Sequence, residues 1–431
     1  MWKRISSLTL AILLSACQSS IPSVSLESAE AAAHKVIESL VNSDFGVINQ
    51  VVSQTLKEEL DTDFQTQWKE ISDTAILNGE YRLEDASAYS DGLFIGVLEG
   101  ESTDVIIQLV FDGVELTQIR ASYRKEEIEN TTSEKFEEIN IETGVASTLN
   151  GKLVLPVGIE NPPVVILLQG SGPSNLNEEV YALKPFEDLA YGLAELGIAS
   201  IRYDKRTYAY PNWMYGVQIL AWEYRFDFEA VLSQLDQWNL EQSPVYLLGH
   251  SLGGMIAPWL ASEVDKLAGV ICLSATPRGL EDVIYDQNRA TLMEKGMDEA
   301  QIEALLSNLA KQVEEVKKLD GTTERETLIS MPTSYWLELN QTHPAAYLDN
   351  LDILILNAEK DFQVSVEKDY AAWEELTQGW DNVTLKLYPG LNHMMTESDV
   401  MSVEDYNTAK PLSPEVIEDI ASWIMNGELK K

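Results

Sequence analysis

The sequence predicts an α/β fold, with a mostly parallel, doubly wound sheet, preceded by a small α+β domain. Three observations support this prediction. Continuous apolar runs, typical of strands buried on both faces, occur at 163–168, 245–248 and 353–356. A helix-forming run at 255–261 begins directly after a serine flanked by glycines. Upstream of these runs, helical patterns give way to strand patterns, as in an α+β domain.

The pentapeptide 249–253, Gly-His-Ser-Leu-Gly, predicts a nucleophilic serine. It joins the apolar run at 245–248 to the helical run at 255–261. A serine between glycines at i−2 and i+2 can occupy a strained strand-to-helix turn, where side chains at the flanking positions would clash. We therefore expect Ser251 to be the nucleophile. The alternative is a glycine-rich packing turn.

A serine hydroxyl needs a base to take its proton, and only four histidines are available. His34 lies far upstream, His250 lies in the serine turn itself, and His343 precedes a proline ahead of the penultimate strand. His393 lies in a loop after the last predicted strand, 383–387. We expect His393 to be the base.

Asp361 is the expected partner of that base, because it lies on the turn after the buried strand at 353–356. Its alternative role is a helix N-cap or a solvated turn residue, and Glu359 is the reserve candidate for the acid. The resulting chain order is Ser251, Asp361, His393. This is the order of the α/β-hydrolases and differs from those of other serine hydrolases.

The run at 163–168 ends in residues 169–173, Gln-Gly-Ser-Gly-Pro, called the glycine loop below. Its glycines allow the backbone to approach a ligand closely. We expect the backbone N–H groups of Ser171 and Leu252 to form an oxyanion hole. The alternative is an ordinary strand-to-helix turn.

With these motifs, the chain resembles the α/β-hydrolase superfamily, in particular its bacterial esterase and serine-aminopeptidase-like branch. The likeness runs from Ile139 to Asn426, so we place the catalytic domain at 139–428, and it includes the stretch 201–206, Ile-Arg-Tyr-Asp-Lys-Arg. Family members usually have glycine where Thr207 stands and often histidine at Gln169. Within the stretch, Asp204 and Arg206 are interpreted as a structural pair.

Length, composition and charge limit the number of domains and the kinds of ligand that we expect. The chain has 431 residues and an apolar fraction of 45%, which indicates two domains with large cores. Its net charge is −40. So acidic a chain is not expected to bind nucleic acid. Four scattered histidines and two cysteines offer no metal-ligand cluster, and we expect no cofactor.

The N-terminus predicts a lipoprotein signal peptide at 1–16, with a basic start, a short apolar run and a lipobox-like Leu14-Ser15-Ala16-Cys17. Lipidation of Cys17 would anchor the protein in the bacterial cell envelope. Gln18, rather than aspartate, indicates the outer membrane where there are two membranes. The alternative is an ordinary cleaved signal peptide. Cys272 would then be an unpaired core residue.

Residues 26–123 are predicted to form the α+β domain, with helices at 30–41, 44–60 and about 64–71 and strands at 93–97 and 105–111 before the turn at 112–113. It resembles the cone-shaped, nuclear-transport-factor-2-like accessory domains of some bacterial α/β-hydrolases. The charged stretch 124–138 is the expected linker. A spacer or partial cover for the active site is the expected role, with binding of a separate ligand as the alternative.

An insertion at about 279–349 is far longer than an ordinary loop and predicts a helical lid. The alternative is a helix packed permanently on the core. One predicted helix face is apolar, and Met331, Tyr335 and Trp336 nearby favour a hydrophobic substrate group. The apolar face consists of Ile302, Leu305, Leu306, Leu309, Val313 and Val316.

The expected function is that of a lipid-anchored serine hydrolase, a carboxylesterase for small-molecule esters with short to medium acyl chains. A serine aminopeptidase acting on small peptides is the first alternative, since related enzymes share the triad. The second is a non-enzymatic surface lipoprotein that binds a ligand through its first domain.

Overall fold

The computed structural model describes residues 28–45, 48, 51–53, 62–85, 92–101, 104–123, 129–145, 148–210, 219–265, 267–320, 327–349 and 351–430. The predicted signal peptide, 1–16, and Cys17 lie outside these ranges. The chain divides into two compact units. The first comprises Met1–Ile128, Gly144–Thr148 and Arg206–Val217, and the second comprises Glu129–Thr143, Leu149–Lys205 and Gln218–Lys431.

The first unit is an α+β structure. Helices α1 (Ala29–Val41) and α2 (Thr62–Ala75) precede strands β1 (Leu77–Asp85), β2 (Leu93–Gly100), β3 (Val105–Asp112) and β4 (Glu115–Tyr123). The strands form an antiparallel sheet in chain order. Gly113 has φ 62° in the turn between β3 and β4, as the Asp-Gly pair predicts. The helix predicted at 44–60 lies mostly outside the described ranges.

In the described ranges, the second unit contains ten strands and eight α-helices. They are β5 (Phe136–Thr143), β6 (Leu149–Pro156), β7 (Val164–Leu168), α3 (Pro185–Glu195), β8 (Ala199–Tyr203), α4 (Phe226–Ser233), β9 (Val245–His250), α5 (Leu252–Ser262), β10 (Leu267–Leu273), α6 (Leu280–Glu294), α7 (Glu299–Val316), β11 (Thr327–Leu328), β12 (Met331–Pro332), α8 (Thr333–Gln341), β13 (Ile353–Ala358), α9 (Ala371–Leu376), β14 (Val383–Tyr388) and α10 (Pro414–Asn426).

Its main sheet has eight strands in the order β14-β13-β10-β9-β7-β8-β6-β5. The six strands from β14 to β8 are parallel, and β6 and β5 add antiparallel pairs at one side. Strand β5 begins at Phe136, inside the stretch 124–138 that was expected to be a linker. The Phe136 ring is buried and stacks on Tyr191 with centroids 4.9 Å apart, which draws this residue into the sheet.

The strand order explains where a site forms. From β7 the chain passes to β8 on one side and then returns to β9 on the other, so β7 and β9 flank a switch point. Ligands of such sheets bind outside the carboxyl ends of the strands at this place. The carboxyl ends of β7, β9, β13 and β14 carry the glycine loop, Ser251, Asp361 and His393.

The insertion after β10 contains α6, α7, the short hairpin β11–β12 and α8. Helix α7 buries Ile302, Leu306, Val313 and Val316, as the apolar face predicts, but Leu305 is 59% exposed. Trp336 is buried and donates to the carbonyl of Leu328 over 2.7 Å. Tyr335 is buried too. Trp336 therefore packs within the insertion, and the preference for a hydrophobic substrate group stays a prediction.

Candidate active site

Ser251 occupies a strained turn between β9 and α5, with φ 54° and ψ −120°. A Cβ atom on Gly249 would lie 2.2 Å from the carbonyl oxygen of Gly253. A Cβ on Gly253 would lie 2.5 Å from the carbonyl oxygens of Leu168 and Gln169. Both contacts are impossible, so glycine is required on each side of the serine, as the pentapeptide predicts.

His393 and Asp361 form a buried hydrogen-bonded pair. Asp361 Oδ2 lies 2.6 Å from Nδ1 of His393, and both side chains are almost fully buried. The other oxygen, Oδ1, accepts backbone N–H groups from Gln363 at 2.7 Å and Val364 at 2.9 Å. Glu359 instead accepts the N–H of Gly390 at 3.0 Å. The structure thus pairs the imidazole with the acid predicted first, and its Nε2 has no hydrogen-bond partner in the described part of the chain.

The backbone of His393 is held by two neighbouring side chains. Its carbonyl oxygen accepts from the Ser274 hydroxyl at 2.7 Å and lies 3.0 Å from Nε2 of His250. The rings of His250 and His393 have centroids 4.7 Å apart. His250 directly precedes the nucleophile candidate in the chain, so this contact places the loop of His393 against the serine turn.

His250 also contacts a buried carboxylate that sequence reasoning missed. Its Nδ1 lies 2.9 Å from Oε1 of Glu178. Burial lowers the pKa of His250, but Glu178 and the His393 carbonyl raise it by more, so the net pKa lies above the usual value. Both ring nitrogens face acceptors, which an imidazolium satisfies by donating twice.

The glycine loop is held by buried side chains on both sides of Gly170. The N–H of Gly170 donates to Glu178 Oε1 at 2.6 Å. Its carbonyl oxygen accepts from Lys205 Nζ at 2.7 Å and from the Tyr224 hydroxyl at 2.8 Å. Neither Ser171 nor Leu252 donates its N–H to another residue in the described part of the chain. Both predicted oxyanion donors thus remain available to a ligand.

Lys205 is fully buried beneath this loop. Its ammonium group also contacts the Gly172 carbonyl at 3.0 Å, the Tyr224 oxygen at 2.5 Å and Glu223 Oε1 at 2.5 Å. Burial lowers the pKa of Lys205, while Glu223 opposes that shift. The sequence did contain a signal for this residue, since it lies inside the stretch 201–206 that carried the family resemblance.

The two residues that flank Lys205 in the stretch 201–206 form hydrogen bonds with the backbone of other segments. Asp204 Oδ1 accepts the N–H of Leu176 at 2.9 Å, and Arg206 Nη2 donates to the carbonyl of Val145 at 2.7 Å. His34 contacts the Tyr81 hydroxyl at 3.0 Å within the first unit, and His343 is exposed. These contacts agree with the elimination of both histidines as the base.

Within the described ranges, no group of three or more histidine, cysteine, aspartate and glutamate side chains is arranged to hold a metal ion. None of the helices in those ranges is long and apolar enough to cross a membrane.

Cys272 is fully buried in β10, and burial raises the pKa of its thiol to about 12. This agrees with the predicted core role.

Comparison with known proteins identifies the family. A protein-family model described as serine aminopeptidase, S33, matches residues 182–399. Esterase EstD of Thermotoga maritima is 32% identical over 295 residues, which cover 68% of each chain. Est1E from Butyrivibrio proteoclasticus is 18% identical with a TM-score of 0.43, covering 66% of this chain and 97% of its own. The Pyrococcus furiosus esterase Pf2001 is 15% identical with a TM-score of 0.38, and the match covers 59% of this chain and 83% of the Pf2001 chain. The family model spans half of the chain and the EstD match two thirds of it, so this protein belongs to the serine aminopeptidase, S33, family of α/β-hydrolases and is a serine hydrolase.

Proposed function

We propose that this hydrolase cleaves carboxylic esters with short to medium acyl chains through Ser251, His393 and Asp361. The observation that carries the proposal is the 2.6 Å contact between His393 Nδ1 and Asp361, beside a serine in the strained turn. The contact fixes the tautomer whose Nε2 can accept a proton. The esterase name of the relative from Thermotoga supports an ester as the substrate.

In this mechanism, His393 takes the Ser251 proton as the hydroxyl attacks the ester carbonyl. The N–H groups of Ser171 and Leu252 stabilise the oxyanion, and His393 returns the proton to the leaving alcohol. Water then hydrolyses the acyl-enzyme with the same base. Among the described residues the Ser251 hydroxyl forms no hydrogen bond. Such bonds often tighten only when the substrate is bound.

The alternative is an aminopeptidase, which the family description favours. An aminopeptidase needs a carboxylate that receives the amino terminus of its substrate. Two buried carboxylates lie near the glycine loop, and each has one oxygen in an ion-pair contact, Glu178 with His250 and Glu223 with Lys205. Turnover of p-nitrophenyl acyl esters of increasing chain length, compared with amino-acid naphthylamides, distinguishes the two functions.

The triad is tested with a fluorophosphonate probe and three variants. We expect the probe to label Ser251 in the wild type but not in Ser251→Ala. Ser251→Ala and His393→Ala should each reduce ester turnover by several orders of magnitude, and the double variant should be little worse than either one. Near-additive losses would mean that the two residues do not act as a unit.

We further propose that Cys17 is lipidated and anchors the enzyme in the cell envelope, at the outer membrane where there are two. The lipobox-like sequence supports this. Labelled palmitate should enter the wild type and a Cys272→Ala control but not Cys17→Ser, and only Cys17→Ser should leave the membrane fraction. The first unit, with helices α1 and α2 ahead of an antiparallel sheet, is compatible with a nuclear-transport-factor-2-like accessory fold.

A further inference from the structure

The peptide group between Gly170 and Ser171 is the centre of this inference, which rests on the proposed function. Its carbonyl belongs to Gly170 and its N–H belongs to Ser171. The group is planar, and there is no cis peptide bond in the described chain, so the carbonyl and the N–H point in opposite directions. Whatever holds the Gly170 carbonyl therefore also sets the direction of the Ser171 N–H.

Two buried side chains hold that carbonyl. Lys205 Nζ lies 2.7 Å from the Gly170 oxygen and the Tyr224 hydroxyl lies 2.8 Å from it. The two side chains also contact each other at 2.5 Å, with the ammonium 4.2 Å from the centroid of the tyrosine ring. The Tyr224 oxygen can thus accept from the lysine while its hydrogen is donated to Gly170. The carbonyl receives both bonds from one connected pair.

We propose that Lys205 and Tyr224 are positioning residues of the oxyanion hole, which orient and polarise the Gly170–Ser171 peptide so that the Ser171 N–H meets the developing oxyanion. Hydrogen bonds from a cation are stronger than neutral ones, and in a low-dielectric interior linked bonds polarise one another. A carbonyl that accepts two such bonds withdraws electron density from the amide nitrogen, which strengthens its N–H as a donor.

The rest of the network keeps the ammonium group in place. Glu223 neutralises Lys205 at 2.5 Å. On the other side, Glu178 accepts the Gly170 N–H at 2.6 Å. The Gly170–Ser171 peptide is therefore held at its own carbonyl and at the N–H of the preceding peptide, before any substrate arrives. Such preorganisation is the source of oxyanion stabilisation in enzymes.

The decisive variant is Tyr224→Phe, which removes one hydroxyl and retains the ring. Tyr246→Phe is its matched control, because Tyr246 also donates to one carbonyl, that of Ile424 at 3.2 Å, and lies at the amino-terminal part of β9. We expect Tyr224→Phe to lower kcat about 10-fold or more, since removing a whole oxyanion donor costs about 10²–10³. KM should change less than about 3-fold, and the control should match the wild type in both constants.

Lys205→Met is tested together with Glu223→Gln, so that no unpaired carboxylate remains buried. The matched control is Lys152→Met, because Lys152 is a buried lysine that contacts Asn130 at 2.5 Å and Glu138 at 3.9 Å in another part of the sheet. The double variant Lys205→Met, Glu223→Gln should bind a trifluoromethyl ketone, which forms a tetrahedral oxyanion on Ser251, more weakly than the wild type. Its affinity for the ketone and its kcat/KM should fall by the same factor. A merely structural role predicts equal losses in the Lys152 control and no parallel loss of ketone affinity.

A second readout does not depend on the ester substrate. The rate of fluorophosphonate labelling reports the oxyanion hole, because the phosphonyl oxygen enters it, and the ¹⁵N–¹H signal of Ser171 reports its peptide directly. Slower labelling and a shifted Ser171 signal in Tyr224→Phe support the proposal even if the wild type hydrolyses no ester, which would overturn the proposed function alone. Unchanged labelling, signal and kcat in Tyr224→Phe would overturn the positioning role and leave the triad intact.

Discussion

Nε2 of His250 lies 3.0 Å from the carbonyl oxygen of His393, so the residue before the proposed nucleophile binds the backbone of the proposed base. The other ring nitrogen contacts Glu178, whose carboxylate also receives the N–H of Gly170. One buried histidine–glutamate pair therefore connects the serine turn, the base loop and the glycine loop. A connection of this kind holds three loops in register without taking part in the chemistry.

The raised pKa of His250 predicts a pH-dependent contribution to stability. A histidine whose folded pKa exceeds its unfolded value of about 6.5 stabilises the fold fully below that value, and the contribution is lost as pH rises through the folded pKa. Urea unfolding of wild type and His250→Gln should therefore differ most near pH 6 and less at pH 9.

His343 provides the control for that measurement. Partial desolvation lowers the pKa of His343, so its effect has the opposite sign, and the wild type should lose stability relative to His343→Gln as pH falls. A difference between wild type and His250→Gln that is constant from pH 6 to pH 9 would contradict the imidazolium assignment.

The pairing of His393 with Asp361 rather than Glu359 predicts a large asymmetry between two substitutions. Asp361→Asn should reduce kcat by about 10⁴, because an amide favours the wrong imidazole tautomer. Glu359→Gln should retain turnover within about twofold, since among the described residues the Glu359 carboxylate contacts the backbone of Gly390 and the neighbouring Lys360. Steady-state kinetics with one ester checks both. Comparable losses in the two variants would contradict the assignment of the acid.

The tight packing at Gly253 predicts that even one methyl group disturbs the site. In Gly253→Ala the new Cβ would lie 2.5 Å from the carbonyl oxygens of Leu168 and Gln169, where β7 passes into the glycine loop. Displacing that loop should reduce kcat by about 10-fold to 10³-fold, as for loss of an oxyanion donor.

Gly192→Ala is the control for Gly253→Ala. Its Cβ would lie 2.6 Å from the Cδ1 atom of Ile417, which is the end of a flexible side chain, and alanine favours the helix. Turnover should therefore match the wild type. Full activity of Gly253→Ala, measured on the folded variant, would show that the glycine loop tolerates movement.

The buried thiol of Cys272 predicts resistance to alkylation. Its pKa of about 12 leaves little thiolate at pH 8, and the side chain is fully buried. In a Cys17→Ser background, where Cys272 is the remaining cysteine of two, iodoacetamide should modify the protein only after unfolding in guanidinium. Rapid modification of the native protein would mean that β10 opens readily.

Much of the fold and part of the site were predictable from the sequence because they depend on short-range constraints. Glycines at 249 and 253 are required by contacts within one turn and with the strand beside it, and the buried strands appear as continuous apolar runs. The position of Asp361 after its strand follows from the same local reasoning. The boundary of β5 was less predictable, since Phe136 joins the sheet by stacking on a distant tyrosine.

Only the tertiary structure decided which side chains hold the glycine loop. Glu178, Lys205 and Tyr224 lie on three different segments, and no spacing along the chain relates them to Gly170. Their contacts arise because β7, β8 and β9 are adjacent in space, which depends on the order of strands in the sheet. A linear pattern records what each residue can do locally. Burial and neighbouring charges, which allow a lysine to hold a carbonyl through a hydrogen bond, exist only after the chain has folded.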